Sequence, residues 1–209
     1  MFIYFSGETM EYARKQIERI TFEFREIFTF NSGPNRIDEP KYRLPLTSKM
    51  PFIFTVDDDI IFEDDILTIL MDTYNDIQTL YPQNGHLSPV GWFGTVIENG
   101  QLMTPMEGRY NLVPGQIQQV DYLGSCGCLY RREILDDARL RYENWPSFIG
   151  SASDFWLSYL IIRYYHTPMF ITGLHKKDLP EHGHSLWEDS ISRELPGIVE
   201  RLVSYGWKS

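Results

Sequence analysis

The chain has 209 residues, 29 acidic against 19 basic side chains and a formal net charge of −10. Its hydrophobic fraction of 43% and charged fraction of 23% are those of a globular chain long enough to bury a core. An acid excess with no basic run longer than Arg131-Arg132 or Lys176-Lys177 argues against nucleic acid as a partner, and "FWLSYLII", ending at Arg163, is far too short for a membrane span.

In chain order, Phe2-Ile3-Tyr4-Phe5 reads as a short buried strand closed by Ser6-Gly7. Its start, "MFIYFSG", lacks the basic residues and long apolar run of a signal peptide. Met10, Ala13, Ile17 and Ile20 recur at helical spacing over Glu8 to Ile20, and a second strand is predicted near Phe24 to Phe30, ended by "NSGPN". Residues 34–50 hold three prolines and read as a loop; Pro51 to Val56 is the next strand. Ile66, Leu70, Thr73, Ile77 and Leu80 mark an amphipathic helix from about Asp65 to Leu80, with Asp64 and Asp65 as caps. "PVGWFGTVI" and "QVDYLGSCGCLYRR" read as strands, the second bent or closely approached at Gly124 and Gly127. Ser153 is placed to cap a helix over Asp154 to Tyr165, with Phe155, Tyr159 and Ile162 inward. "PMFIT" is a last strand, "KKDLPEHGHSLW" a polar loop, and Pro196 to Tyr205 a terminal helix.

The two cysteines, Cys126 and Cys128, are spaced poorly for a disulfide or a zinc site. At strand spacing both thiols face one side, as small buried hydrophobes. A soluble, cytoplasmic protein of one α/β domain is the expectation.

The stretch "PFIFTVDDDIIFEDD" carries the chemistry. A buried strand ends on Asp57-Asp58-Asp59, three carboxylates that repel unless a cation or solvent compensates them. In α/β sheets ligands bind at the carboxyl ends of strands. Asp57 and Asp59, two apart, offer hard oxygen ligands to a divalent cation and leave most of its positions open for phosphates. The plain alternative is a solvated turn; Glu63, Asp64 and Asp65 are adequately explained by the positive end of the following helix. An EF-hand is excluded, because residues 57–68 lack the central glycine and end on Thr68.

An apolar strand, Asp-x-Asp, and then a capped helix resemble the metal motif of nucleotide-sugar-dependent glycosyltransferases of the GT-A fold. "GSCGCLYRREIL" is similar to that family's glycine-bearing strand beside the sugar, and "SASDFWLSYLI" to its acidic residue at the start of an aromatic-rich helix. The resemblance spans roughly Phe2 to Thr172, and implies either a small soluble enzyme, such as virus-encoded or bacterial types, or one domain of a longer protein. It implies a single α/β domain over 1–209 with a mixed central sheet and helices on both faces. Residues 1–59 would form its Rossmann-like nucleotide-binding half and 60–209 its sugar- and acceptor-binding half. It departs from the family in its shortened first strands, in lacking the opening consensus of the largest inverting branch, and in having no anchor or stem before the domain.

The resemblance also implies roles. Asp59 binds Mn²⁺ or Mg²⁺ directly, Asp57 contacts the ribose or the metal's water shell, and Asp58 holds the sugar or the loop. Ser6, Gly7 and Asn31 sit where the family holds the nucleoside, and Arg36 and Lys49 would meet phosphate or base. Asp154 is the base or acceptor-orienting carboxylate, against the plainer reading of a first-turn acid favouring the helix dipole. His184, or failing that His182, completes the metal site from "PEHGHS". Trp92, Trp145, Trp156 and Trp187 are core residues in the simplest reading, with one or two able to stack on a sugar. The donor would be a nucleotide diphosphate sugar, most simply a UDP-sugar, and the acceptor a glycan or other hydroxyl. Two other readings stand beside this one. A nucleotidyltransferase or other metal-phosphate enzyme would need a glycine-rich basic loop that "SGETMEY" does not provide; a non-catalytic carbohydrate- or Ca²⁺-binding module would leave the α/β pattern and Asp154 unexplained.

Overall fold

The computed structural model describes residues 2–5, 28–31, 49–55, 60–83, 85–103, 112–113, 115–124, 126–150, 152–173, 176–178 and 192–207. Strand β1 (Phe2–Phe5) pairs in parallel with β2 (Phe28–Asn31), Phe5 opposite Asn31, and lies beside β3 (Phe52–Thr55). β1 falls where the apolar run predicts it; β2 overlaps the expected Phe24 to Phe30 from Phe28 and takes in Asn31, the first residue of the expected turn, while residues 24–27 lie outside the described residues. The expected helix over 8–20 lies outside the described residues, as do 34–48 of the expected loop.

The central sheet is mixed. Its order is β3, β11 (Cys128–Arg131), β5 (Val90–Gly91), β12 (Met169–Thr172) and β9 (Ile117–Val120). β11 is antiparallel to both β3 and β5, β5 is parallel to β12, and β12 is antiparallel to β9. β3, β5 and β12 therefore run the same way and end on one edge, where β11 and β9 begin.

Strand alternation divides the core between the two faces of this sheet. Phe54, Val90, Leu129 and Phe170 pack with Phe62 against helix α1 (Ile66–Leu80), which contributes Ile66, Leu67, Leu70, Tyr74 and Ile77. The alternate residues Ile53, Cys128, Tyr130, Met169 and Ile171 face the other way. There they meet α2 (Arg132–Leu135), α3 (Ser153–Leu160) and α4 (Ser192–Ser204) through Ile134, Phe155, Leu160 and Leu202. Helices thus cover both faces. Leu70, Ile77 and Leu202 are each 0% exposed, and each such side chain contributes about 1.5–3 kcal/mol of burial.

Several expectations are corrected. α1 begins at Ile66, and Asp65 holds the N-cap position without a side-chain cap; its carbonyl accepts from the Ile69 amide at 3.0 Å. Leu80 is 65% exposed, its expected place in the core taken by Leu67 and Tyr74. "PVGWFGTVI" breaks into β5, β6 (Gly94–Thr95) and the start of β7 (Ile97–Glu98), which pairs antiparallel with β8 (Gln101–Leu102), because Asp121 fixes a bend: its Oδ2 accepts from the Ile97 amide at 2.8 Å. "QVDYLGSCGCLYRR" likewise breaks into β9, β10 (Tyr122–Leu123) and β11.

Gly127 sits at φ +64°, which ends the strand alternation, so Cys128 packs on the α3 face and Cys126 on the α1 face rather than on one side. α3 starts at Ser153 with Ala152 as N-cap and runs into a π turn, Ile161–Tyr165. In the wider turn Ile161 is fully buried, and Ile162, half-buried, packs against the same core as expected. Phe155 and Tyr159 face inward as expected. α4 begins four residues before Pro196, which stands inside the helix. Most consequential for the site, Lys176–Asp178 is a strand, β13, paired antiparallel with β4 (Ile60–Phe62).

Candidate functional site

The edge where β3, β5 and β12 end is the natural place for a ligand. β3 ends at Thr55, opposite Cys128, and the Thr55 hydroxyl donates to the Cys128 carbonyl at 3.4 Å. The chain then continues to the acidic triplet. On the neighbouring strand the same edge is the turn from Gly124 to Cys128. That turn is dense: the Cys128 thiol donates to the Gly124 carbonyl at 2.6 Å, and Gly127 lies against Phe62 and Trp92. A Cβ at Gly127 would collide with the Phe62 ring and come within 2.6 Å of Trp92 Cδ1. The close approach expected at Gly124 and Gly127 is therefore made by aromatic side chains; a Cβ on Gly124 would lie 2.8 Å from the Phe93 ring.

Asp154 lies on α3, the helix fastened just ahead of this turn. Ser158 Oγ accepts from the Leu123 amide at 3.1 Å and donates to the Leu123 carbonyl at 3.4 Å, which fastens α3 to the residue before Gly124. Asp154 lies four residues earlier, on the same face and about 6 Å further along the axis. Stacking of Tyr122 on Phe155, with centroids 4.1 Å apart, fixes the same turn of helix. Asp154 is half-buried, and the Ser153 hydroxyl donates to its Oδ1 at 3.4 Å. Ser158, an unremarkable residue on an apolar helix, is the positioning group that the sequence reading missed.

The β4–β13 ladder adds a third element. Asp178 is the register partner of Ile60, the residue that directly follows Asp59. From Asp178 the chain continues toward His182 and His184. Asp57, Asp58, Asp59, Ser6, Gly7, Arg36, His182, His184 and Trp187 themselves lie outside the described residues. Asn31 closes β2 beside the end of β1. Lys49 is exposed three residues ahead of β3, at that strand's amino end, and is not gathered to this edge. Trp156 is core and Trp145 half-buried, its indole N–H donating to the Leu140 carbonyl at 2.8 Å; Trp92 packs edge-on against Phe62. Among the described residues no cluster of three or more His, Cys, Asp or Glu is placed to hold a metal. No helix among them is long and apolar enough to cross a membrane. A cleft of about 320 Å³ bordered by Asp121, His166 and Pro168 opens at the opposite sheet edge and is not part of this site.

No protein-family model and no curated protein sequence matches the chain. Solved structures do match its fold. S. aureus TarS 1-349 in complex with UDP-GlcNAc superposes with a TM-score of 0.62 at 13% identity, covering 98% of this chain and 65% of that one. The fold is shared with TarS. TarS 1-349 in complex with UDP gives a TM-score of 0.50 at 14% identity over 98% of this chain and 64% of that one. A197 from STIV gives 0.51 at 8% identity over 86% and 85%. The chain spans just under two thirds of the TarS structures it matches.

Proposed function

We propose that the protein is a metal-dependent glycosyltransferase that moves a sugar from a nucleotide diphosphate sugar, most simply a UDP-sugar, to a hydroxyl of a glycan or similar acceptor. The observation that carries this reading is that β3 ends at Thr55 beside the Gly124–Cys128 turn, while Ser158 fastens α3 to Leu123 just ahead of that turn. In sequence Asp57-Asp58-Asp59 follow β3 directly, and Asp154 lies one helical turn before Ser158. The shared fold with a protein solved with UDP-GlcNAc supports the same donor class.

In this reading Asp59 is the direct ligand of Mn²⁺ or Mg²⁺, Asp57 reaches the ribose or the metal's water shell, and Asp58 supports the sugar or the loop. The cation would offset charge building on the diphosphate as the glycosidic bond breaks. Asp154 would orient or deprotonate the acceptor hydroxyl. The pairing of Asp178 with Ile60 supports a role for His184 or His182, since Asp178 precedes them and Ile60 follows Asp59 in sequence. Ser6, Gly7 and Asn31 would hold the nucleoside.

The test is thermal unfolding with UDP and with UDP-sugars, with and without Mn²⁺ or Mg²⁺. A ligand at one hundred times its Kd stabilises by about 2.7 kcal/mol, or roughly 5–11 °C in a chain of this size. The expected shift needs both nucleotide and metal and disappears in Asp59→Asn. No shift with both present, or an unchanged shift in Asp59→Asn, overturns the reading.

A further inference from the structure

The chain leaves β5 through Trp92 and Phe93, whose side chains go to opposite sides of the sheet edge. Trp92 packs with the α1 cluster and Phe93 with the α3 cluster, their ring centroids 5.4 Å apart. Each ring is braced from behind by one that is sealed from solvent. Phe62, 2% exposed, meets Trp92 edge-on at 6.0 Å, and Tyr122, 3% exposed, meets Phe93 edge-on at 6.2 Å. Each also lies against a glycine of one turn, Trp92 on Gly127 and Phe93 on Gly124. The Gly124 amide donates to the Phe93 carbonyl at 3.1 Å, which ties the two backbones together. Trp92 and Phe93 themselves are only partly buried.

The match between Phe93 and Gly124 is informative. Gly127 is required by its backbone, at φ +64°, whereas Gly124 has no positive φ. What excludes a side chain at position 124 is the Phe93 ring, 2.8 Å from where a Cβ would stand. The chain thus keeps a large ring fixed at the end of a central strand, backed on one side and wet on the other. Behind it Tyr122 stacks on Phe155 at 4.1 Å, and Phe155 follows Asp154 in sequence. The negative face of such a ring accepts the polarised C–H groups on one side of a sugar. Two side-chain torsions, already locked by packing, leave little entropy to lose on contact.

The place fits one sugar in particular. β5 lies two strands from β3 with β11 between them, so their ends are about 10 Å apart. A diphosphate sugar held at the end of β3 would carry its sugar over the Gly124–Cys128 turn and against the residues leaving β5.

We infer that Phe93 is the ring on which the donor's sugar packs, a specificity-determining residue that contacts the sugar and not the nucleotide. The inference rests on the transferase reading. It is tested by calorimetric titration of UDP, UDP-glucose, UDP-galactose, UDP-GlcNAc and UDP-GalNAc in the presence of Mn²⁺. The variant is Phe93→Leu, which keeps apolar contact with Tyr122 and Gly124 but lacks the ring. For the UDP-sugar that wild type binds most tightly, Phe93→Leu should weaken affinity about three- to tenfold, the range of an aromatic contact, with UDP itself bound as before. Phe93→Tyr, which keeps the ring, should recover most of the difference. Unchanged UDP affinity also shows that the variant is folded. The inference is overturned if Phe93→Leu keeps the wild-type ratio of UDP-sugar to UDP affinity, or if both affinities fall together. It is overturned equally if Phe93→Tyr loses as much as Phe93→Leu, or if UDP binds and no UDP-sugar does. Failure of wild type to bind UDP or any UDP-sugar removes the transferase reading and this inference with it, so the two failures are distinguishable.

Discussion

Gly127 is the position at which a single methyl group should do most damage. Its φ of +64° is a conformation that costs an L side chain about 1–2 kcal/mol. The added Cβ would collide with the Phe62 ring, which is 2% exposed and cannot swing into solvent, and would meet Trp92 Cδ1 at 2.6 Å. Overpacking of this kind costs about 1–3 kcal/mol. Together Gly127→Ala should lose about 3 kcal/mol, which in a chain of this length lowers Tm by about 6–12 °C. Gly197→Ala is the control. It lies exposed inside α4 with nothing within 4 Å of the new Cβ among the described residues, and should raise stability by about 0.5–1 kcal/mol. Both are read by thermal unfolding followed in near-UV circular dichroism, where Trp92 reports directly on the turn. A Gly127→Ala protein as stable as wild type, alongside a stabilised Gly197→Ala, would refute the packing described for this turn.

Asp137 offers a test by pH. Burial pushes its carboxyl up, but hydrogen bonds from Arg139 and Tyr165 outweigh this and hold it below the usual carboxylate range. A depressed pKa contributes stability above about pH 4 that is lost as pH falls below it. Tyr165 is the mirror case: burial, then its bond to Asp137, raise it to about 12, so its contribution is lost as pH climbs from about 10 toward that value. Asp137→Asn should cost about 1–2 kcal/mol at neutral pH, the exposure of Arg139 limiting the loss, and should flatten the acid limb of a stability–pH curve; an unchanged curve would refute it. Asp154→Ala should leave UDP affinity nearly unchanged while lowering turnover about 10²–10⁴-fold, and a loss of nucleotide affinity with full turnover at saturation would move Asp154 to the donor site.

What the sequence by itself determined is whatever depends on short-range pattern. β3 and β12 are apolar runs because they are buried strands, and α1 is legible because Ile66, Leu70 and Ile77 recur on one face of a helix. The acidic triplet was conspicuous for the same local reason: three like charges following an apolar strand demand an explanation. The tertiary structure alone decided everything that depends on pairing between distant segments. Lys176–Asp178 is too polar to announce a strand, and becomes one only because Ile60–Phe62 supplies its ladder; that pairing also sets where the histidine segment begins. Asp154 gains its place from Ser158 bonding a backbone 35 residues away. Local pattern reports which side chains must leave water; only the register between segments determines which of them meet.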